Sequence, residues 1–171
     1  ATEYKGCLVI AAAGNAKTNE PYYPASCKNV LNVGATNALD YKWNNSTYGI
    51  ELDLVAPGEG IFTTDYNNTY SNGWGTSYAA PIVAGAAALV KNRFPDYSPL
   101  QIGEQLRITS DIVDTLPENE FYYHQMGYGR LNAQRAVSID NLPSVRITEY
   151  KAEQTYSNLD DGVYTGDTLK V

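Results

Sequence analysis

Residues 72–81 read Asn72-Gly73-Trp74-Gly75-Thr76-Ser77-Tyr78-Ala79-Ala80-Pro81. This stretch places one serine on a glycine-sharpened turn that leads into an alanine-rich, apolar segment. At a helix start, unpaired N–H groups and the positive end of the helix dipole favour negative charge. A serine hydroxyl also needs a neighbouring base, usually a histidine that a carboxylate holds in place. The stretch therefore predicts a nucleophilic Ser77 at the head of a helix.

Short apolar runs on both sides of this stretch predict an α/β fold. Residues 7–13 form a continuous apolar run that ends at Gly14-Asn15, as expected for a parallel strand buried on both faces. Residues 30–35 and 52–58 predict a second and a third strand. Two shorter runs, 60–64 and 70–72, predict a small hairpin just before the serine.

Three helices are predicted from residue 77 onward. The first covers residues 77–94, where Pro95 stops it. It is apolar nearly all round and is therefore expected to be buried. The second begins at Ser98-Pro99, where Ser98 and Gln101 form a capping box, and runs to about Thr109. A third, short helix begins near Asn132.

Composition restricts the partners that this chain is expected to have. A net charge of -7 over 171 residues, with no basic stripe, argues against nucleic acid as a partner. No apolar stretch approaches the roughly 20 residues that span a bilayer, so no membrane segment is predicted. The two cysteines, Cys7 and Cys27, have no second Cys or His at ligand spacing, and no metal site is predicted.

The composition changes after Asn141-Leu142-Pro143. Residues 1–143 are predicted to form part of one α/β domain. Residues 145–148 alternate like a strand and 166–171 resemble the start of another, so 144–171 predict the opening of a truncated β domain. The alternative is a C-terminal extension that packs on the main domain. Because the first strand begins almost at once, the chain is expected to start in the middle of a domain.

Three segments resemble the subtilisin-like serine proteases, the subtilase family. Residues 75–81 resemble the family's nucleophile motif G-T-S-M-A-x-P, with Tyr78 in place of methionine, and residues 12–15 resemble its A-A-G-N segment. Residues 128–133 resemble its closing segment, with Arg130 either in place of a glycine or in a shortened turn. The resemblance covers roughly residues 6–140, the C-terminal half of the catalytic domain. It implies a three-layer fold with a mostly parallel sheet that lacks its N-terminal half.

The resemblance implies a serine endopeptidase that acts through an acyl-enzyme on Ser77. The Ser77 N–H and the Asn15 side-chain amide are implied to stabilise the oxyanion, with Thr76 assisting at the substrate. One wall of the main specificity pocket is implied to come from small residues, namely Ala12, Ala13 and Gly14. Protein or peptide substrates and a secreted or cell-surface location are implied as well. The chemistry needs no cofactor, and family analogy alone admits a structural calcium ion.

The resemblance also bears on the backbone and the cysteines. It implies a cis peptide at Tyr23-Pro24, because a proline tertiary amide lowers the cost of the cis form. Cys7 and Cys27 are implied to lie near the amino ends of two neighbouring strands. Both a disulfide between them and two buried thiols remain open.

The triad's other two members are missing from these residues. The family places an aspartate and a histidine upstream of the asparagine, but the chain contains neither D-[ST]-G nor H-G-T-H upstream of Ser77. The sole histidine, His124, is expected to be a surface-loop residue and not a replacement base. We therefore expect the chain to be a fragment, inactive alone, whose partner is the missing N-terminal half. Its bare strand edge and apolar surface predict self-association.

Two other functions compete with that of a protease. The first is a pseudoprotease that serves as a protein-binding module, which the sequence upstream of Ala1 would distinguish from an enzyme. The second is a phosphate-cradling loop built on Gly73 and Gly75. That loop is rejected because no Lys-Ser/Thr pair follows at P-loop spacing.

Overall fold

The computed structural model describes residues 6–140 and 142–143, and the backbone of 153–154 and 169–170. The predicted α/β class is confirmed. Three parallel strands form one sheet in the order β1-β2-β3, and they span Val9–Ala12, Val30–Thr36 and Leu54–Pro57. Because the strands are parallel, their carboxyl ends meet at one edge of the sheet, where Gly14 and Gly58 follow β1 and β3.

The predicted hairpin follows the sheet. Strands β4 (Ile61–Asp65) and β5 (Thr69–Gly73) pair antiparallel, with Ile61 opposite Gly73. A short 3-10 turn over Tyr66–Asn68 joins them. Asn67 and Asn68 there have φ values of 56° and 59°, a conformation that asparagine tolerates better than most residues. The second strand of the hairpin ends directly before the turn that precedes Ser77.

The three predicted helices are present. They are α1 (Thr76–Arg93), α2 (Pro99–Ile108) and α3 (Ala133–Ser138). The capping box at the start of α2 is confirmed, since Ser98 accepts from the Gln101 N–H and the Gln101 side chain accepts from the Ser98 N–H. None of the helices in the described ranges is long and apolar enough to cross a membrane.

The main core lies between the sheet and α1. The helix packs on all three strands, and its buried apolar side chains are Ala79, Val83, Ala86, Ala87 and Val90. A smaller cluster contains Ala13, Leu52, Val55, Val113 and Met126. The main cluster fixes the sheet against α1.

Helix α1 is not buried all round, and that expectation was wrong. Its Leu89 side chain is 56% exposed, and Ala84, Gly85 and Ala88 are exposed as well. A Cβ added to Gly85 would meet no atom within 4 Å. The reason is that no element among the described residues covers this side of the helix. We call these four residues the open face of α1.

The cysteines also differ from both expectations. Cys7 and Cys27 precede β1 and β2, as expected, but they are exposed and are not joined in a disulfide. The Tyr23-Pro24 bond is cis, as expected. In the tail, β6 (Glu153–Gln154) pairs antiparallel with β7 (Leu169–Lys170). The strand predicted at 145–148 lies outside the described residues.

Arg130 connects the closing segment, residues 128–133, to its neighbours. Arg130 exchanges backbone hydrogen bonds of 2.8 Å with Asp111 in both directions. Its guanidinium also lies 2.8 Å from the Asp111 carboxylate and 3.3 Å from Asp40. Burial alone would raise the pKa of Asp111, but hydrogen bonds from Asn132, Arg130 and Arg135 lower it below its ordinary value. Arg130 therefore ties the closing segment to two neighbouring loops.

Candidate active site

Ser77 lies in the first turn of α1 and is exposed to solvent. The turn is fixed against the sheet edge because the Gly75 N–H donates to the Gly58 carbonyl over 2.7 Å. Tyr78 N–H then donates to the Gly75 carbonyl over 3.0 Å and begins the helix. Within the described part of the chain, the Ser77 N–H has no acceptor. A serine hydroxyl and an unpaired backbone donor are thus presented together.

Asn15 follows β1 and reaches the same turn. Its Oδ1 accepts from the Thr76 N–H over 3.0 Å and from the Thr76 hydroxyl over 2.9 Å. Both Thr76 groups are donors, and only the oxygen of the Asn15 amide can accept from them. These two bonds therefore fix the orientation of the amide. The Nδ2 group consequently remains available as a donor on the other side of the amide.

The space between Asn15 and Ser77 exists because residue 75 is glycine. Gly75 has a φ of 141°, in the region that favours glycine. A Cβ at that position would lie 3.1 Å from Asn15 Nδ2 and 3.1 Å from Ser77 Oγ. Any side chain there would fill the gap between the two groups. A nucleophile and a hydrogen-bond donor thus face one small space, as acyl transfer requires.

Thr76 links the two segments that carry this site. The residue is 1% exposed, and its hydroxyl accepts from the Gly14 N–H over 3.1 Å while donating to Asn15. The Thr76–Asn15 bonds join residues 61 positions apart in the chain. Sequence analysis placed Thr76 at the substrate, and that assignment stays a prediction. The structure adds a bridging role that the motif alone does not reveal.

The residues predicted for the pocket wall lie at the end of β1. Ala13 and Gly14 are buried and Ala12 is partly exposed, and their contact with substrate stays a prediction. Tyr22, which no motif indicates, places its ring against this wall. A Cβ on Gly14 would lie 3.1 Å from Tyr22 Cγ and 3.1 Å from Thr47 Oγ1. The only sequence signal was the proximity of Tyr22 to the cis proline.

Tyr78, the aromatic next to the serine, is partly buried against the hairpin. A Cβ on Gly73 would collide with the Tyr78 ring. Only glycine at the end of β5 therefore leaves room for this ring. Gly73 and Tyr78 therefore depend on each other, because the ring occupies the space that a side chain at position 73 would take.

His124 lies on the surface, as expected. Its side chain is 77% exposed, and Nδ1 is 3.9 Å from the Asp114 carboxylate. Its ring also lies beside Tyr123, with centroids 3.9 Å apart. It makes no recorded contact with Ser77 within the described ranges. The chain therefore brings together Ser77, Asn15 and Thr76, but no histidine joins them.

A sequence profile of the subtilase family matches residues 1–134. Subtilisin BL of Lederbergia lenta is 41% identical over 132 residues, which cover 77% of this chain and 46% of that protein. Alkaline elastase YaB of Bacillus sp. (strain YaB) is 40% identical over 131 residues, which cover 77% and 33% respectively. The chain thus spans less than half the length of these relatives.

Solved structures agree with the sequence matches. A protease of Pseudoalteromonas arctica PAMC 21717 superposes with a TM-score of 0.71 at 31% identity, covering 78% of this chain and 42% of the other. The prenylagaramide maturation protease PagA gives a TM-score of 0.70 at 27% identity, with 79% and 51% covered. The described fold corresponds to part of these protease domains.

Proposed function

The chain belongs to the subtilase family, and we propose that the complete protein is a serine endopeptidase with Ser77 as its nucleophile. The observation that carries this proposal is the space beside Gly75, which the Ser77 hydroxyl and the Asn15 amide share. In the proposed reaction, Ser77 Oγ attacks the substrate carbonyl and transfers its proton to a base. The Ser77 N–H and Asn15 Nδ2 donate to the oxyanion while the protonated base gives its proton to the leaving amine, which leaves an acyl-enzyme. Water then hydrolyses the acyl-enzyme and restores Ser77.

We propose that the base and its carboxylate come from an upstream half of the domain. Two observations support this. The chain covers only 46% of Subtilisin BL, and no histidine contacts Ser77 in the ranges that the structure describes. The open face of α1 is where such a half would pack. The chain alone is then inactive, because the serine lacks a base.

Substrates are proposed to be proteins or peptides, bound against a wall built from Ala12, Ala13 and Gly14, with Thr76 nearby. Residues 1–143 are assigned to the catalytic domain and 144–171 to a following β domain. A secreted or cell-surface location is proposed by analogy with the family. Among residues 6–140 and 142–143, no cluster of three or more His, Cys, Asp or Glu suits a metal ion. The proposed chemistry needs no cofactor, and a calcium ion would have a structural role only, by analogy with the family.

The test is covalent labelling of the complete protein with a fluorophosphonate, together with hydrolysis of a casein-derived peptide pool. We expect labelling and hydrolysis in the wild type and neither in Ser77→Ala. Ser138→Ala, an exposed serine at the end of α3, is the matched control and retains both. A complete wild-type protein that binds peptides without labelling or cleavage would instead be a pseudoprotease.

A further inference from the structure

Lys42 is a buried cation whose role no motif explains. The residue is 8% exposed, and no carboxylate pairs with it among the described residues. Its Nζ donates to three backbone carbonyls, those of Trp43 at 2.9 Å, Asn44 at 3.2 Å and Ser46 at 3.0 Å. An ammonium has three N–H donors, so all of them are used. These three hydrogen bonds offset much of the free-energy cost of burying the charge.

Aromatic rings complete the surroundings of the ammonium. The ring centroids of Tyr122 and Tyr48 lie 4.6 Å and 5.3 Å from Nζ, within cation–π range. Burial, with a smaller effect from Lys17, lowers the pKa of Lys42 to about 8. The segment 43–48 wraps around this one group, and we call it the lysine loop. Its carbonyls converge on the ammonium, which therefore fixes its shape.

The lysine loop also holds the segment that carries Asn15. The Thr47 N–H donates to the Gly14 carbonyl over 2.9 Å, immediately before Asn15. After Asn15, the Lys17 N–H donates to Asn45 over 3.0 Å. A third bond runs from the Tyr48 N–H to Thr18, also over 3.0 Å. Backbone hydrogen bonds from the loop thus bracket Asn15 on both sides.

We propose that Lys42 is a positioning residue for the oxyanion donor: its ammonium fixes the lysine loop, and the loop holds the Asn15 amide beside Ser77. The inference rests on the proposed function, since it concerns the same reaction. Lys42 itself does not touch substrate. A donor displaced by a fraction of an ångström stabilises the transition state less, while the ground-state complex is little affected.

The test measures peptide hydrolysis by the complete protein carrying Lys42→Met. We expect kcat to fall by about tenfold or more with KM within twofold. That is less than the roughly 10²–10³-fold loss for a missing oxyanion donor, a range measured on subtilisin itself. Lys42→Arg, which keeps several donors, is expected to recover most of the activity. Lys28→Met removes an exposed lysine and serves as the control.

A double-mutant cycle separates positioning from general damage. In an Asn15→Ala background the donor is already gone, so Lys42→Met should lower kcat by less than twofold further. An equal loss in both backgrounds, or no loss in the wild-type background, overturns the inference. Should Lys42→Met fail to fold, Lys42→Gln, which keeps two N–H donors, goes through the same cycle.

Amide hydrogen exchange provides a readout that does not depend on activity. We expect Lys42→Met to accelerate exchange at the Thr47 and Tyr48 amides while the core amide of Leu106 stays protected. Unchanged exchange at both loop amides overturns the inference. If the wild type cleaves no peptide, the proposed function fails and the catalytic role of Lys42 fails with it. Exchange then decides only whether Lys42 holds the loop.

Discussion

Gly75 is the residue on which the geometry of the candidate site depends most directly. Its backbone conformation favours glycine, and its missing side chain leaves the gap between Asn15 and Ser77. Backbone strain and occupation of the gap are separate effects, and the chain offers a way to distinguish them. Gly60 also has a positive φ, of 68°, but a Cβ there would meet nothing within 4 Å.

We expect Gly75→Ala to lower kcat of the complete protein by at least about 10²-fold, because the added methyl group occupies the space of the oxyanion. Gly60→Ala also strains the backbone, though less than Gly75→Ala, because a φ of 68° lies in the left-handed helical region and a φ of 141° in a region nearly restricted to glycine. It should reduce thermal stability modestly and leave kcat within twofold. Kinetics of peptide hydrolysis and thermal unfolding measure the two effects. Equal kcat losses in the two variants would show that strain, and not the gap, is responsible.

At the scale of elements, local signals were sufficient for most strands and helices. Apolar runs marked β1 to β3, and the Ser98 capping box marked the start of α2. The bonds that assemble the site were not predictable from such signals. Thr76 and Asn15 meet across 61 positions, and Lys42 lies in a polar loop that resembles any exposed turn. The helix was predicted to be buried all round, because its apolar composition does not reveal whether another element packs on each of its sides.

The closing segment leads to a prediction about stability. Two partly exposed ion pairs of Arg130, with Asp111 and Asp40, are worth roughly 0.2–1 kcal/mol each. Arg130→Ala should therefore destabilise the complete protein by roughly 0.4–2 kcal/mol at pH 7, measured by denaturant unfolding. Arg93→Ala, at the exposed end of α1, should change stability by less than about 0.5 kcal/mol.

The same variant tests the pKa of Asp111. Because its folded pKa is lowered, its contribution to stability is present above its unfolded pKa of about 3.9 and is lost as the pH falls through the folded value. The difference between wild type and Arg130→Ala should shrink as the solution is acidified into that range. A difference that stays constant down to that pH would contradict the role of the Asp111 carboxylate.

At the scale of the molecule, apolar surface lies where the upstream half is proposed to pack. Leu8, before β1, and Ala88, on the open face of α1, line one shallow cavity of about 240 Å³. Among the described residues no strand pairs with the outer edge of β1, and this edge lies beside the open face of α1. Exposed apolar surface next to an unpaired strand edge favours association with another chain.

We expect the isolated chain to self-associate, and Leu89→Glu to shift it toward monomer, because a carboxylate on the open face opposes apolar burial. Sedimentation velocity measures this shift. Ile50→Glu, which changes an 87% exposed residue away from that face, is the control. A wild-type chain that sediments as a clean monomer, or equal effects of both substitutions, would contradict the assignment of the interface.

The bridge from Thr76 to Asn15 has a consequence for the order of folding. It closes a loop of 61 residues, and the entropy lost in closing such a loop costs on the order of 4 kcal/mol. Two hydrogen bonds do not offset that cost, so the bridge cannot form ahead of the core. Burial of β1, β2 and β3 under α1 must bring the two segments together first. We therefore expect the candidate site to assemble late in folding, only after the core has brought its two segments together.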